Sequence, residues 1–467
     1  MYLEHEDEES RISLSKFESM LRTNKVFFFD SEEFENIILH YLDTGKTNLA
    51  HKALKIGLEQ HPKSTGLKLV QVEMLVFEDK LEVAERILQE LEQIEPTNEE
   101  IFIQRSAIFS KKGKHSEAIE QLKVALQYTD DKADVLVLLG MEYLFEDDLI
   151  NAKEAFIQCL EYDIDDQSAL YNAVYCFEFL DEFEEAVAFL EDFINERPYN
   201  EVAWHQLGRM YFKLKNFEKA LWAFEYAYLI DDDFLGALFE QAKCLEKLGK
   251  FKEAIACYQE TLHNEDEPSS YAMLRIGVCY EKLGNLTEAL AYFSKTVHDD
   301  PLLDKGWIAI TDFYIRQKNY RKALYYVNKA MGIDHENSKY WKRFAQINRR
   351  LKFYDEAALG YQRVIELGGN LLSENWILWS DMIFKLGDWR EAQSILLQAG
   401  EFINYTADIE FRLAGITYLL GEYENALFHL HNGLRDDLTK VYILQKKYPA
   451  FWSLAHVKSI VEGYLPF

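Results

Sequence analysis

Proline and glycine are scarce in this 467-residue chain, at 7 and 21 residues, which leaves few breakers and points to long regular elements. Cysteine is scarcer still: five residues with no C-x-x-C spacing make neither a disulfide framework nor a zinc ribbon. No run of 18 apolar residues occurs, so no transmembrane helix is predicted. Positive charge is also in deficit, with 51 Lys and Arg against 80 Asp and Glu and a net charge of −29. That disfavours nucleic acid or a membrane surface as partner of the whole chain, but leaves room for a local basic patch. Glu4, Glu6, Asp7, Glu8 and Glu9 stand where a secretory leader would be basic and then apolar, so a cytoplasmic protein is expected. Core material is plentiful, at 48% apolar residues.

That apolar content is periodic. Cut every 34 residues from Ser31, the chain gives segments starting at Ser31, Thr65, Glu99, Ala133, Gln167, Glu201 and Leu235. After one inserted residue they resume at Ser270, Asp304 and Ser338, and after a second at Ser373 and Ala407. Position 20 is alanine in all twelve, from Ala50 to Ala426, and position 24 is always large and apolar. Position 15 is Gly in six segments and Asp or Lys in the others. Apolar residues at 4, 7, 8 and 11 mark one helical face and those at 20, 24 and 27 another, so each segment reads as a helix–turn–helix hairpin. A hairpin cannot bury its apolar face alone, and stacking on a neighbour needs a small residue at the crossing.

The sixth segment carries Trp204, Leu207, Gly208, Tyr211, Ala220, Phe224 and Ala227, and on that pattern the chain resembles the tetratricopeptide-repeat family. The resemblance implies an all-α, right-handed α-solenoid. Residues 1–30 are expected as an acidic, disordered tail with a short capping segment, in which Leu14, Phe17, Leu21 and Phe27–Phe29 cover the first repeat. Residues 31–440 are expected as twelve repeats, and 441–467 as a C-terminal cap. Ile38 and Val72, bulky at position 8, predict looser packing in repeats one and two.

No catalytic constellation emerges, and no enzyme activity, cofactor or metal is expected. Gly45-Lys46-Thr47 lacks the upstream glycine of a phosphate loop. Asp163, Asp165 and Asp166, like Asp231–Asp233, lack the glycine and glutamate of a calcium loop. His429 and His431 are two apart on a helix and face different ways. Cys176, Cys244 and Cys279 share position 10, which marks a packing choice.

The resemblance implies that the first helix of each repeat lines a concave groove through positions 2, 5, 6, 9, 12 and 13. In repeats six to ten these positions hold Arg209, Lys213, Lys243, Lys247, Arg275, Lys282, Lys305, Arg316, Lys339, Lys342, Arg343, Arg349 and Arg350, against Glu240, Glu246, Glu281 and Asp312. In repeats one to five they are acidic and apolar, including Val70, Val76, Met141, Phe145, Tyr171, Tyr175 and Phe179. Residues 128–200 hold twenty acidic and three basic side chains, and residues 305–352 twelve basic and three acidic. The family's carboxylate-gripping pattern is absent: Lys342 at position 5 is followed by Gln346, Leu378 and Asp408 where Asn, Asn and Lys are required. The expected function is a non-catalytic scaffold that holds a segment of another protein. The alternatives are RNA binding on the basic helices with Tyr271 or Phe239 for stacking, a solvated face, or pairing with acids of the same chain or of a second copy in a homodimer. Arg343, Arg349 and Arg350 are expected to be exposed.

Overall fold

The computed structural model describes residues 2–23, 27–262 and 269–464. Its described residues contain helices and no strand, and none of those helices is long and apolar enough to cross a membrane. The chain divides into two compact units at Asp231/Asp232. Each is an all-α solenoid of stacked hairpins, six in the first unit and six in the second. Observed first helices such as Thr65–Phe77, Glu201–Lys213 and Asp304–Arg316 begin at the phase read from the sequence.

The turn inside every hairpin is made the same way. All twelve residues at position 15 have positive φ, between 57° and 94°: six glycines, and Asp79, Asp147, Asp181, Lys215, Lys318 and Lys352. Each non-glycine residue there carries a backbone cost of about 1–2 kcal/mol. In five repeats position 16 then caps the second helix; Asn216, for example, accepts from the Lys219 amide at 3.2 Å. The turn between repeats is held where position 4 is tryptophan. The indole N–H of Trp204, Trp307, Trp341 and Trp376 donates to the carbonyl six residues earlier, at 2.7–2.9 Å.

Inside each hairpin, positions 8 and 24 divide one space between them. The twelve position-20 alanines are all fully buried, and just above them the side chains at 8 and 24 meet. A Cβ added at Gly140, Gly208 or Gly277 would stand 2.6–2.7 Å from the ring of Phe156, Phe224 or Phe293. Where position 24 is the smaller Leu54 or Leu88, position 8 is Ile38 or Val72, and both are fully buried. The looser packing expected for repeats one and two is found: the helices of these hairpins approach each other less closely than those of repeats four, six and eight, where position 8 is glycine.

The chain ends pack differently from the repeats. Helix Tyr2–Thr23 starts where the acidic composition predicted disorder. Phe17 and Phe29 are buried against Phe34, with ring centroids 6.2 and 5.3 Å from it, while Phe28 stays exposed. Of the two inserted residues, the one near Gly368 is absorbed by a left-handed glycine and a 3-10 turn at Gly369–Leu371. The other falls near 263–268, outside the described residues. At the far end, short helices Tyr442–Lys447 and Pro449–Trp452 bury Ile443, Leu444, Tyr448 and Phe451. They pack against the first helix of repeat twelve, Ala407–Leu419.

The shared space gives a sign-reversing prediction. Gly208→Ala should destabilise the protein by about 1–3 kcal/mol through overpacking against Phe224, although alanine is the better helix former. In a Phe224→Leu background the same change should stabilise. Thermal melts of the four proteins in that cycle check it.

Candidate protein-interaction face

The first helices carry an ion-pair ladder that sequence reading did not assemble. In the second unit, Arg275 donates to both oxygens of Glu246, which also accepts from the Tyr258 hydroxyl at 2.7 Å. Arg316 is bidentate to Glu281 at 2.7 and 2.6 Å, and Arg343 to Asp312 at 2.7 and 2.9 Å. Lys342 reaches Glu374 at 3.0 Å, and Lys243 pairs with Glu240. In the first unit, Arg209 and Lys213 both hold Glu178. Three of these bridges, those of Glu246, Glu281 and Asp312, join consecutive first helices of the second unit. Burial alone would lower the Arg275 pKa; its bonds to Glu246 outweigh that and raise it.

Seven of the thirteen expected groove cations are thus already held. Arg343, expected to be exposed, is partly buried against Asp312 because a guanidinium there closes a bidentate pair with the preceding repeat. Arg349 is partly buried and Arg350 exposed. Among the described residues, Lys247, Lys282, Lys305, Lys339, Arg349 and Arg350 make no ion pair. The signal for the ladder was in the spacing. Asp312–Arg343 and Glu178–Arg209 lie 31 residues apart, one repeat less one helical turn, which carries a side chain onto the neighbouring helix.

Two of the unpaired lysines, Lys282 and Lys305, border one cavity with an apolar floor. A cavity of about 550 Å³ between helices Ser269–Lys282 and Asp304–Arg316 is lined by Leu274, Val278, Phe293, Ile308 and Ala309. Its charged wall is Arg275, Arg316, Glu281 and Asp312, all within the ladder, together with Lys282 and Lys305. Lys305 lies over the Tyr271 ring, 5.6 Å from its centroid. Tyr271 also packs on Phe239 at 5.7 Å, so these two rings are engaged with each other.

The first unit presents a different surface. Phe145, Tyr171, Tyr175 and Phe179 are exposed, and Met141 is partly buried. The last three aromatics form one stripe along helix Gln167–Phe179, with Tyr175 and Phe179 4.4 Å apart. Val70 and Val76, expected in the groove, belong to the core instead, because helix Thr65–Phe77 is apolar on nearly every side. Glu100 and Glu73 have raised pKa values, each through burial first. Glu73 then adds to the rise at Glu100, and Asp43 to that at Glu73.

Burial pushes the thiols of Cys159, Cys244 and Cys279 up to about 12 and that of Cys176 to about 11, away from nucleophilic character. His429 contacts the buried Glu410 at 2.7 Å and His431 contacts Tyr464 at 3.0 Å, so they share no ligand. Arg412, at the place where a carboxylate clamp would carry its cation, is taken up by Asp381 at 3.1 Å.

Residues 133–165 and 239–303 match family models described as tetratricopeptide repeat. Residues 180–261 match the model for the anaphase-promoting complex, cyclosome, subunit 3. No curated protein matches the chain in sequence. Among solved structures, it is similar to YrrB, described as a TPR protein with an unusual peptide-binding site, at 21% identity over 39% of this chain and 94% of that one, with a TM-score of 0.33. It is also similar to the APC/C hetero-tetramer Cut9–Hcn1, at 12% identity over 98% of this chain and 94% of that one, with a TM-score of 0.36. Pseudomonas aeruginosa PilF matches at 16% identity over 51% of this chain and 93% of that one, with a TM-score of 0.35.

Two stability measurements test the electrostatics. Glu246→Gln should cost about 2–3 kcal/mol, less than a fully buried pair because Arg275 keeps some contact with water. Glu374→Gln, at an exposed pair, should change little in the same denaturant titration. A carboxyl whose folded pKa is raised contributes stability that is complete below its unfolded value and lost as pH rises through the folded one. Glu100→Gln should therefore raise the melting temperature at pH 7, and the difference should close as pH falls to about 4.

Proposed function

This chain is a tetratricopeptide-repeat protein, and we propose that it is a non-catalytic scaffold whose second unit holds an acidic segment of a partner protein. The observation that carries the reading is the cavity between the first helices of repeats eight and nine. Its floor is apolar, its carboxylates are already paired, and Lys282 and Lys305 add positive charge that no neighbour cancels. In a chain of net charge −29, such a patch stands out locally and selects for acidic partners. The exposed aromatic stripe of Tyr171, Tyr175 and Phe179 in the first unit is a second, apolar contact surface of the same scaffold.

RNA fits the same charges less well. The rings proposed for base stacking, Tyr271 and Phe239, pack on each other, and Lys305 covers Tyr271. A base would have to displace both contacts to stack.

The test is affinity capture from the source organism with the wild-type protein and a Lys282→Glu/Lys305→Glu/Lys339→Glu variant. All three lysines are exposed and lie outside the ion-pair ladder, so the melting temperature should hold. A partner rich in Asp and Glu, retained at low salt by the wild type, should be lost from the variant and be insensitive to ribonuclease. Equal retention by both proteins would make the lysines a solvated face. Ribonuclease-sensitive capture would turn the reading to RNA.

A further inference from the structure

We infer that the occupant of the basic face is an amphipathic helix, apolar on one side and acidic along both edges, lying across the first helices of repeats eight to ten. The inference rests on the reading that this face holds an acidic protein segment, and it adds the shape of that segment.

Five of the six unpaired cations fall in two rows. Lys305, at position 2 of repeat nine, covers Tyr271, at position 2 of repeat eight, so the N-terminal ends of these two helices lie side by side. Arg316 binds Glu281, so their C-terminal ends do too, and Lys282 is the neighbour of Glu281. Tyr271 and Lys282 are eleven residues apart on one helix, which sets the two rows about 16 Å from each other. Lys339 repeats the register of Lys305, and Lys247 and Arg350 repeat that of Lys282. Between the rows Arg275 and Arg343 are neutralised by Glu246 and Asp312, and Leu274, Val278, Ile308 and Ala309 line the cavity floor.

An extended strand has only two opposite side-chain faces, so with acids turned to both rows it has none left for the apolar floor. A helix is about 10–12 Å across with its side chains, so acids on its two flanks reach both rows while its apolar stripe covers Leu274, Val278, Ile308 and Ala309.

The chain fills the corresponding positions of repeats eleven and twelve with helices of its own. Tyr448 packs against Phe384, at position 12, with centroids 5.3 Å apart, and Phe451 against Tyr418, also at position 12, at 4.9 Å. A Cβ on Gly415, at position 9, would strike the Tyr448 ring at 2.2 Å. Charge is read at the same phases. Lys440 reaches Asp408, at position 2, at 2.8 Å, and Lys447 pairs with Asp381, at position 9. Where repeat twelve has Asp408, repeats nine and ten have Lys305 and Lys339, so the same kind of occupant must there be acidic.

The probe is a synthetic 18-residue peptide with leucines at helical spacing and glutamates on both flanks, titrated against the full chain at low salt by fluorescence anisotropy. Controls are the same peptide with two central prolines, a version with lysines along one flank, and an 18-nucleotide RNA. The helical peptide should bind at least tenfold tighter than the proline and one-flank versions. Lys305→Glu and Lys282→Glu should each weaken it severalfold, whereas Lys329→Glu, the same charge change on a second helix, should not. Lys→Ala variants at both sites, with unchanged melting temperatures, should show the same order. Equal binding of the proline peptide would overturn the helical occupant but leave an acidic segment in place. Binding of RNA alone, or of neither ligand, would overturn both.

Discussion

The space shared by positions 8 and 24 is the constraint on which the rest of the structure depends. With the alanine at position 20 fully buried in every repeat, the two helices of a hairpin can approach closely, and the size of the residue at position 8 sets how closely. The remaining volume must then be filled by one pair of side chains. Gly with Phe, as in repeats four, six and eight, brings the helices close, whereas Val or Ile with Leu, as in repeats one, two and five, holds them farther apart. Since every hairpin keeps the same 34-residue phase, its first helix presents the same positions outward, and only then can charges on successive helices line up.

Upon that regular frame Glu178, Asp312 and Asp381 meet their arginines by one simple offset, while Arg275 and Arg316 reach their carboxylates 29 and 35 residues away. Moving on one repeat and back one turn brings a side chain beside its neighbour's, and carboxylates and guanidiniums occupy those places in both units. These pairs are partly buried, so their desolvation cost is offset only by good geometry, which the bidentate contacts supply. Their effect on function is subtraction. A run of basic residues that looks continuous in sequence becomes two separated rows once the paired ones are removed.

The hairpins, their boundaries and the turn chemistry were legible because each is a local property repeated twelve times. Position 15 is the clearest case: six glycines there reveal what Asp79 or Lys318 must also do, although neither residue favours positive φ. Pairing was less legible because it depends on which two side chains at neighbouring phases actually meet; Arg343 reads as exposed until Asp312 is set beside it. Val70 and Val76 were misplaced because position alone does not tell how deeply a particular helix is buried. The terminal segments follow no period, so neither the helix from Tyr2 nor the placement of Tyr448 over Gly415 was available from phase.

The volume match at positions 8 and 24 is settled within a single hairpin, whereas the carboxylate–guanidinium bridges join one hairpin to the next. A 34-residue unit copied or moved within its gene would carry its core along intact but would leave its bridging partners behind. Shape therefore makes the repeats interchangeable, and charge makes their order matter. The history of duplication in such a chain should be sought in the glycine–phenylalanine pairs of repeats four, six and eight, and the point at which the order became fixed in the bridges between them.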